Sequence, residues 1–467
     1  MLAPASLLAQ WGHALQRHRR AIVAVQWLIV LVYAVLVVVP AFLPLPSENA
    51  TITTNLRLAA QFAFWGIWWP FVIVSVMLFG RMWCGLFCPE GALTELASRH
   101  GLGRSIPRWL RWNGWPFVAF VTTTLYGQLI SVYEYPQATL LILGGSTVVA
   151  VLVGWVYGRD KRVWCRYLCP VSGIFGLLAK VAPMHYRTDA TVWRAHAGTP
   201  QRVNCAPLLD LRHLQSASDC HACGRCSGHR DAIALRWRAP GQEIVHPPAA
   251  PFNPYPARLL VFGVLGLALG AFQWTVNPTF VRLKQWAAQW LVMHDHLALL
   301  QDNAPWWLLT HVPEANDVFN WLDGLAILSY LAATTLVVGG LSWLALRSAA
   351  WLLPERTRNW HALAMALVPL GGCSLFLGLS MMTLTQLRAE GLVPSWVGSA
   401  RLMVLAGGLL WSAWLATRLI WHSPASAWQT TARRIGAELC LTIPLLLVGS
   451  SWVQVFWPIA FTSAISP

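Results

Sequence analysis

Eight of the ten cysteines in this chain stand in patterns that ligate metal rather than pack. Two stretches, Arg81-Met-Trp-Cys84-Gly-Leu-Phe-Cys88-Pro89 and Arg162-Val-Trp-Cys165-Arg-Tyr-Leu-Cys169-Pro170, share the pattern Arg-x-Trp-Cys-x3-Cys-Pro. A third stretch, Cys220-His-Ala-Cys223-Gly-Arg-Cys226, is a Cys-x2-Cys-x2-Cys run. A [4Fe–4S] cube takes four thiolates; Cys-x2-Cys-x2-Cys is the core of a bacterial ferredoxin run, and Cys-x3-Cys-Pro is how such a run ends. With Cys205, the eight cysteines predict two [4Fe–4S] clusters, and no catalytic side chain is needed beyond them.

The third run lacks its usual last ligand, because Arg230 follows in Cys226-Ser-Gly-His-Arg230 where a cysteine would stand. The nearest substitute is Cys205. Zinc on Cys205, Cys220, Cys223 and Cys226 is the competing reading, although successive x2 intervals suit a cube better than zinc's separated pairs. A three-iron cluster, or ligands exchanged between motifs, also satisfies the spacing, so the assignment of cysteines to clusters stays open. Arg166 and Arg225, set among the ligands, offset the negative charge of thiolate-bound clusters. Loop histidines such as His221 and His229 more often hydrogen-bond than ligate. Cys373 and Cys440 lie in apolar helices without partners at ligand spacing and read as packing residues.

These motifs hang on apolar elements. Apolar residues make up 56% of the 467-residue chain and charged residues only 11%, which excludes an ordinary soluble globular protein. Runs of about 20 apolar residues can cross a ~30 Å hydrocarbon core as helices. They fall near 21–44, 61–80, 114–133, 138–157, 257–276, 322–346, 360–382, 400–421 and 436–460. The fold class is therefore all-α and polytopic, with about nine transmembrane helices and a small cytoplasmic ferredoxin-like insert. Residues 1–183 form a four-helix membrane half with the duplicated hairpins, 184–256 the cluster-bearing insert, and 257–467 a second half of five helices with a periplasmic segment at 277–321. Each Arg-x-Trp-Cys copy follows an even-numbered helix, so the first half looks like a duplicated hairpin.

The net charge of +15 comes from arginines scattered through short loops. That is positive-inside topology rather than a nucleic-acid surface. Segments 1–20, 81–112, 158–256, 347–359 and 422–435 are rich in arginine and face the cytoplasm, which puts the N-terminus in and the C-terminus out. The basic Arg17-His18-Arg19-Arg20 and the long run after it read as an uncleaved first helix. All eight cluster cysteines then lie on the reducing side, where metal ligation is the default.

On these motifs, residues 1–250 resemble the membrane polyferredoxins of the NapH, NosR and CcoG group, which pass electrons across or into the bacterial inner membrane. The longer layout, with one ferredoxin insert and a second membrane half, is most similar to FtrD of FtrABCD-type ferrous-iron uptake systems. That resemblance implies an inner-membrane electron carrier whose partners are an iron permease and a periplasmic cupredoxin or iron-binding protein. A quinol dehydrogenase or cupric reductase is the alternative it implies, with the direction of electron flow open.

A periplasmic role needs a relay across the bilayer: haem, flavin or quinone. His361 and His422 stand at helix ends rather than inside spans, which does not suit an axial haem ligand. His294 and His296, with His311 beyond, are the periplasmic candidates for a metal, next to Trp286 and Trp290, which suit an interfacial amphipathic helix.

Overall fold

The computed structural model describes residues 7–199, 202–248, 252–353, 359–392, 394–421 and 428–457. Among them, eight helices are long and apolar enough to cross a membrane: Arg19–Phe42, Leu56–Phe79, Pro136–Tyr157, Tyr255–Val276, Trp321–Leu352, Trp360–Ala389, Val397–Trp421 and Thr431–Phe456. The all-α polytopic membrane class follows directly. His422 lies outside the described residues.

The expected span at 114–133 is a helix of only 15 residues, Trp115–Leu129. At 1.5 Å per residue it covers about 22 Å, short of a ~30 Å core. It stops because the chain turns at Ser131, whose φ is +48°. Gly127 lets this turn close, since Val132 Cγ1 would lie 3.0 Å from a Cβ at that position.

The residues form two compact units that run through both halves of the chain. One comprises residues 1–36, 71–119 and 143–256; the other comprises 37–70, 120–142 and 257–467.

In the first unit, helix α1 (Leu7–Arg17) precedes the first span. Helices α2 (Met82–Leu86) and α3 (Pro89–Arg99) follow the second span, and α4 (Val163–Tyr167) follows Pro136–Tyr157. The insert contains strands β1 (Met184–Thr188) and β2 (Ile233–Trp237), antiparallel with Tyr186 opposite Leu235. Met184, Tyr186, Ile233 and Leu235 bury one face of this hairpin against Leu214, Ala222 and Cys226. Gly12 of α1 reaches the same hairpin so closely that a Cβ there would stand 2.9 Å from Ser227 Oγ and 3.3 Å from Leu235 Cβ. The hairpin is not evident from alternation in so short and polar a stretch, whereas α1 carries Leu8, Trp11 and Leu15 at helical spacing.

In the second unit the spans pack through small residues. A Cβ on Gly266 would stand 3.0 Å from Thr335 Cα, and one on Gly371 2.9 Å from Leu260 Cδ1. Two pairs of polar side chains meet there, which hydrocarbon favours: Trp452 Nε1 donates to Ser374 Oγ at 3.1 Å and Ser451 Oγ to Gln273 Oε1 at 2.6 Å.

Candidate iron–sulfur centre

The duplicated motif folds the same way twice. In each copy the first cysteine lies within a single-turn helix, and the second follows it with its N–H turned back on the tryptophan carbonyl. Cys88 N donates to Trp83 O and Cys169 N to Trp164 O, both at 3.0 Å. Pro89 then opens α3, with Cys88 as its N-cap accepting Gly91 N–H at 3.4 Å. Proline suits that first helical position, where its missing N–H costs nothing.

The thiols that act on one another fall into two sets. Burial raises Cys88, and Cys165 and Cys84 raise it further. Cys169 is raised by burial and then by Glu90, with Cys165, Cys88 and Cys84 adding to it, and burial pushes Cys165 up to about 12. Cys220 is likewise pushed by burial to about 12, with Cys223 and Cys205 as neighbours. Cys226 is raised by burial and then by Cys220, Cys223 and Cys205. The first set is Cys84, Cys88, Cys165 and Cys169; the second is Cys205, Cys220, Cys223 and Cys226.

Cys205 reaches the second set because its loop is tied to the chain just before Cys165. Arg162 N donates to Ala206 O at 2.8 Å, Lys161 Nζ to Cys205 O at 3.1 Å, and Asn204 Nδ2 to Asp160 O at 2.9 Å.

Buried cations frame both sets. The first residue of each motif, Arg81 and Arg162, is nearly inaccessible, at 4% and 1% exposure. Arg81 bonds Ser218 O at 2.8 Å and Ser172 Oγ at 2.9 Å. Arg162 bonds Cys84 O at 2.6 Å and Glu95 Oε2 at 2.8 Å. Arg225 donates to Glu95 as well, and Arg166 pairs with Asp219 at 2.9 Å. The two cations expected to serve the clusters thus also hold carboxylates. The arginines of the repeat and Glu95 were the residues missed, although Arg81 and Arg162 are visible in the repeated pattern itself.

These surroundings fit a polyanionic iron–sulfur group. Arg162 Nη2, Arg225 Nη1 and His221 Nδ1 are buried donors or acceptors left without a partner, and unpaired buried groups of this kind call for one. Among the described residues, no group of three or more His, Cys, Asp or Glu side chains is arranged to hold a single metal ion.

The periplasmic candidates are arranged differently. His294 ends the helix Pro278–Met293, and its Nδ1 lies 2.8 Å from Trp290 O. Both the His294 and His296 rings stack on Trp290, with centroids at 4.3 and 5.9 Å. His361 stacks on Trp360 at 3.9 Å.

Residues 61–112 and 137–188 each match the 4Fe–4S binding domain family, once per copy of the hairpin. Fold and repeated match together give a polytopic helical membrane protein that carries two copies of a segment similar to this 4Fe–4S binding domain. The chain is similar to YccM of Escherichia coli, at 24% identity over 33% of this chain and 50% of YccM. It is similar also to the regulatory protein NosR of Pseudomonas aeruginosa, at 27% identity over 34% of this chain and 25% of NosR. The methylamine utilization ferredoxin-type protein MauN of Methylorubrum extorquens is 30% identical over 24% of this chain and 42% of MauN. The chain thus spans half the length of YccM and a quarter of NosR. No solved structure matches it.

Proposed function

We propose that this protein is an inner-membrane electron carrier holding two [4Fe–4S] clusters, one on Cys84, Cys88, Cys165 and Cys169, the other on Cys205, Cys220, Cys223 and Cys226. The duplicated cysteine turn, folded alike in both copies and tied together where Arg162 bonds Cys84 O, beside a cavity lined by Cys205, Cys220, Cys223 and Cys226, carries this reading. The clusters supply one-electron chemistry when bound. The residues do the rest. Thiols that burial keeps protonated would release their protons to solvent on binding iron, since a coordinating thiol is deprotonated. Arg81, Arg162 and Arg225 then balance the negative charge in a site too buried for water to do so, which raises the potentials. A cavity of about 190 Å³ beside Gly85 and Cys223, lined also by Gln16, Arg19 and Gln26, leaves this region open to a redox partner.

The service favoured is ferrous-iron uptake of the FtrD kind, with an iron permease and a periplasmic cupredoxin or iron-binding protein as partners, because the chain carries five further spans after its single ferredoxin insert. The similarity to NosR favours the second reading, a quinol dehydrogenase of the NapH and NosR kind. The cluster-bearing face is assigned to the cytoplasm.

Anaerobic purification with iron and sulfide counts and EPR of the reduced protein tests the carrier. About eight irons per chain are expected; zinc, or almost no iron, overturns the proposal. Cys169→Ser and Cys226→Ser should each abolish a different EPR signal. Reduction of the clusters by quinol would select the dehydrogenase reading over iron uptake.

A further inference from the structure

The first and second cysteine sets meet at a glycine and a carboxylate. A Cβ at Gly85, next to Cys84, would overlap His221 O and stand 3.0 Å from Cys223 Cα and Cβ. The backbones of the two cluster-binding segments are therefore in contact, and only glycine permits this. Behind the contact lies Glu95, on the helix α3 that Cys88 caps, with its side chain 7% exposed. Its oxygens accept Arg162 Nε at 2.8 Å and Arg225 Nη2 at 2.6 and 2.8 Å. Arg162 leads to Cys165 and bonds Cys84 O, whereas Arg225 lies between Cys223 and Cys226. One carboxylate thus joins all three cysteine motifs. Burial would raise Glu95, yet Arg162 and Arg225 overcome it and hold the carboxyl below its ordinary range, so the group is ionised.

We infer that Glu95 and Gly85 are positioning residues that hold the two iron–sulfur sites against each other, so that an electron leaving one reduced site passes directly to the other. This rests on the two-cluster reading. Glu95 also removes one charge from a region that would otherwise carry two buried arginines side by side. Its loss should raise the potentials of both sites as well as loosen their contact.

The experiment is EPR with redox titration on the anaerobically purified full chain. Wild type, fully reduced, should show a magnetically coupled spectrum rather than two independent signals. Glu95→Gln should keep its iron, lose the coupling and shift both midpoints upward, and Glu95→Asp should recover most of both. Gly85→Ala should weaken the coupling without the charge-driven shift in potential. If wild type holds eight irons yet gives two uncoupled signals, or Glu95→Gln with full iron leaves coupling and midpoints unchanged, the inference fails. If wild type lacks the irons, the two-cluster reading has failed instead. If Glu95→Gln loses its iron, Glu95→Asp and Gly85→Ala decide by the same two readouts.

Discussion

Single side chains show how a small polar insert keeps its shape beside a membrane. Glu243, 4% exposed, accepts Arg238 and Lys180 together with Ser216 Oγ and Ala217 N. Burial alone would raise its pKa, but Lys180 and Arg238 bring it down from 4.5 to about 2. A carboxylate depressed in this way stabilises the fold above its unfolded value and loses that contribution as pH falls through the folded one. The insert should therefore weaken by about 3 kcal/mol between roughly pH 4.5 and pH 2. Hydrogen exchange at β1 and β2 amides should accelerate over that window in wild type. In Glu243→Gln they should be unprotected already at pH 7, since removing one partner strands Arg238 in the interior.

At the scale of elements, the insert is too small to fold by burial alone and borrows a helix from outside its own stretch of chain. Helix α1 lies against β2 and the cysteine loop through Gly12, and Gly224 and Gly228 take φ of +76° and +74° under Leu15 and His13. Gly12→Val should overpack this seam at a cost of about 1–3 kcal/mol. Faster proteolysis within Leu7–Arg17, with helix content of the spans unchanged by circular dichroism, is the expected result; equal protection would mean that α1 is not held there.

For the whole molecule, the cysteines constrain the topology. Arg162 bonds Cys84 O at 2.6 Å, so the chain leaves and returns to one side between these residues. Pro136–Tyr157 is long enough to cross; an even number of crossings then requires Trp115–Leu129 to cross too, short as it is. A short helix is accommodated by local thinning of the bilayer at modest cost. Nine crossings would place the two ends of the chain on opposite sides, and we propose that the N-terminal side is the cytoplasm. A C-terminal alkaline phosphatase fusion should be active and a C-terminal green fluorescent protein fusion dark; the reverse would remove one crossing from this count.

The sequence by itself determined the membrane class, nearly every span and the duplicated cysteine motif, because hydrocarbon demands long apolar helices and the motif is a local spacing of residues. Local pattern carried both. Only the tertiary structure brought Cys205 to Cys220, Cys223 and Cys226 rather than to the duplicated motifs, since that depends on how the loop at 160–162 holds Ala206. The roles of Glu95 and Gly85 were likewise invisible. A glutamate on a short helix and a glycine between two cysteines acquire meaning only when Arg162, Arg225 and His221, distant in the chain, arrive beside them.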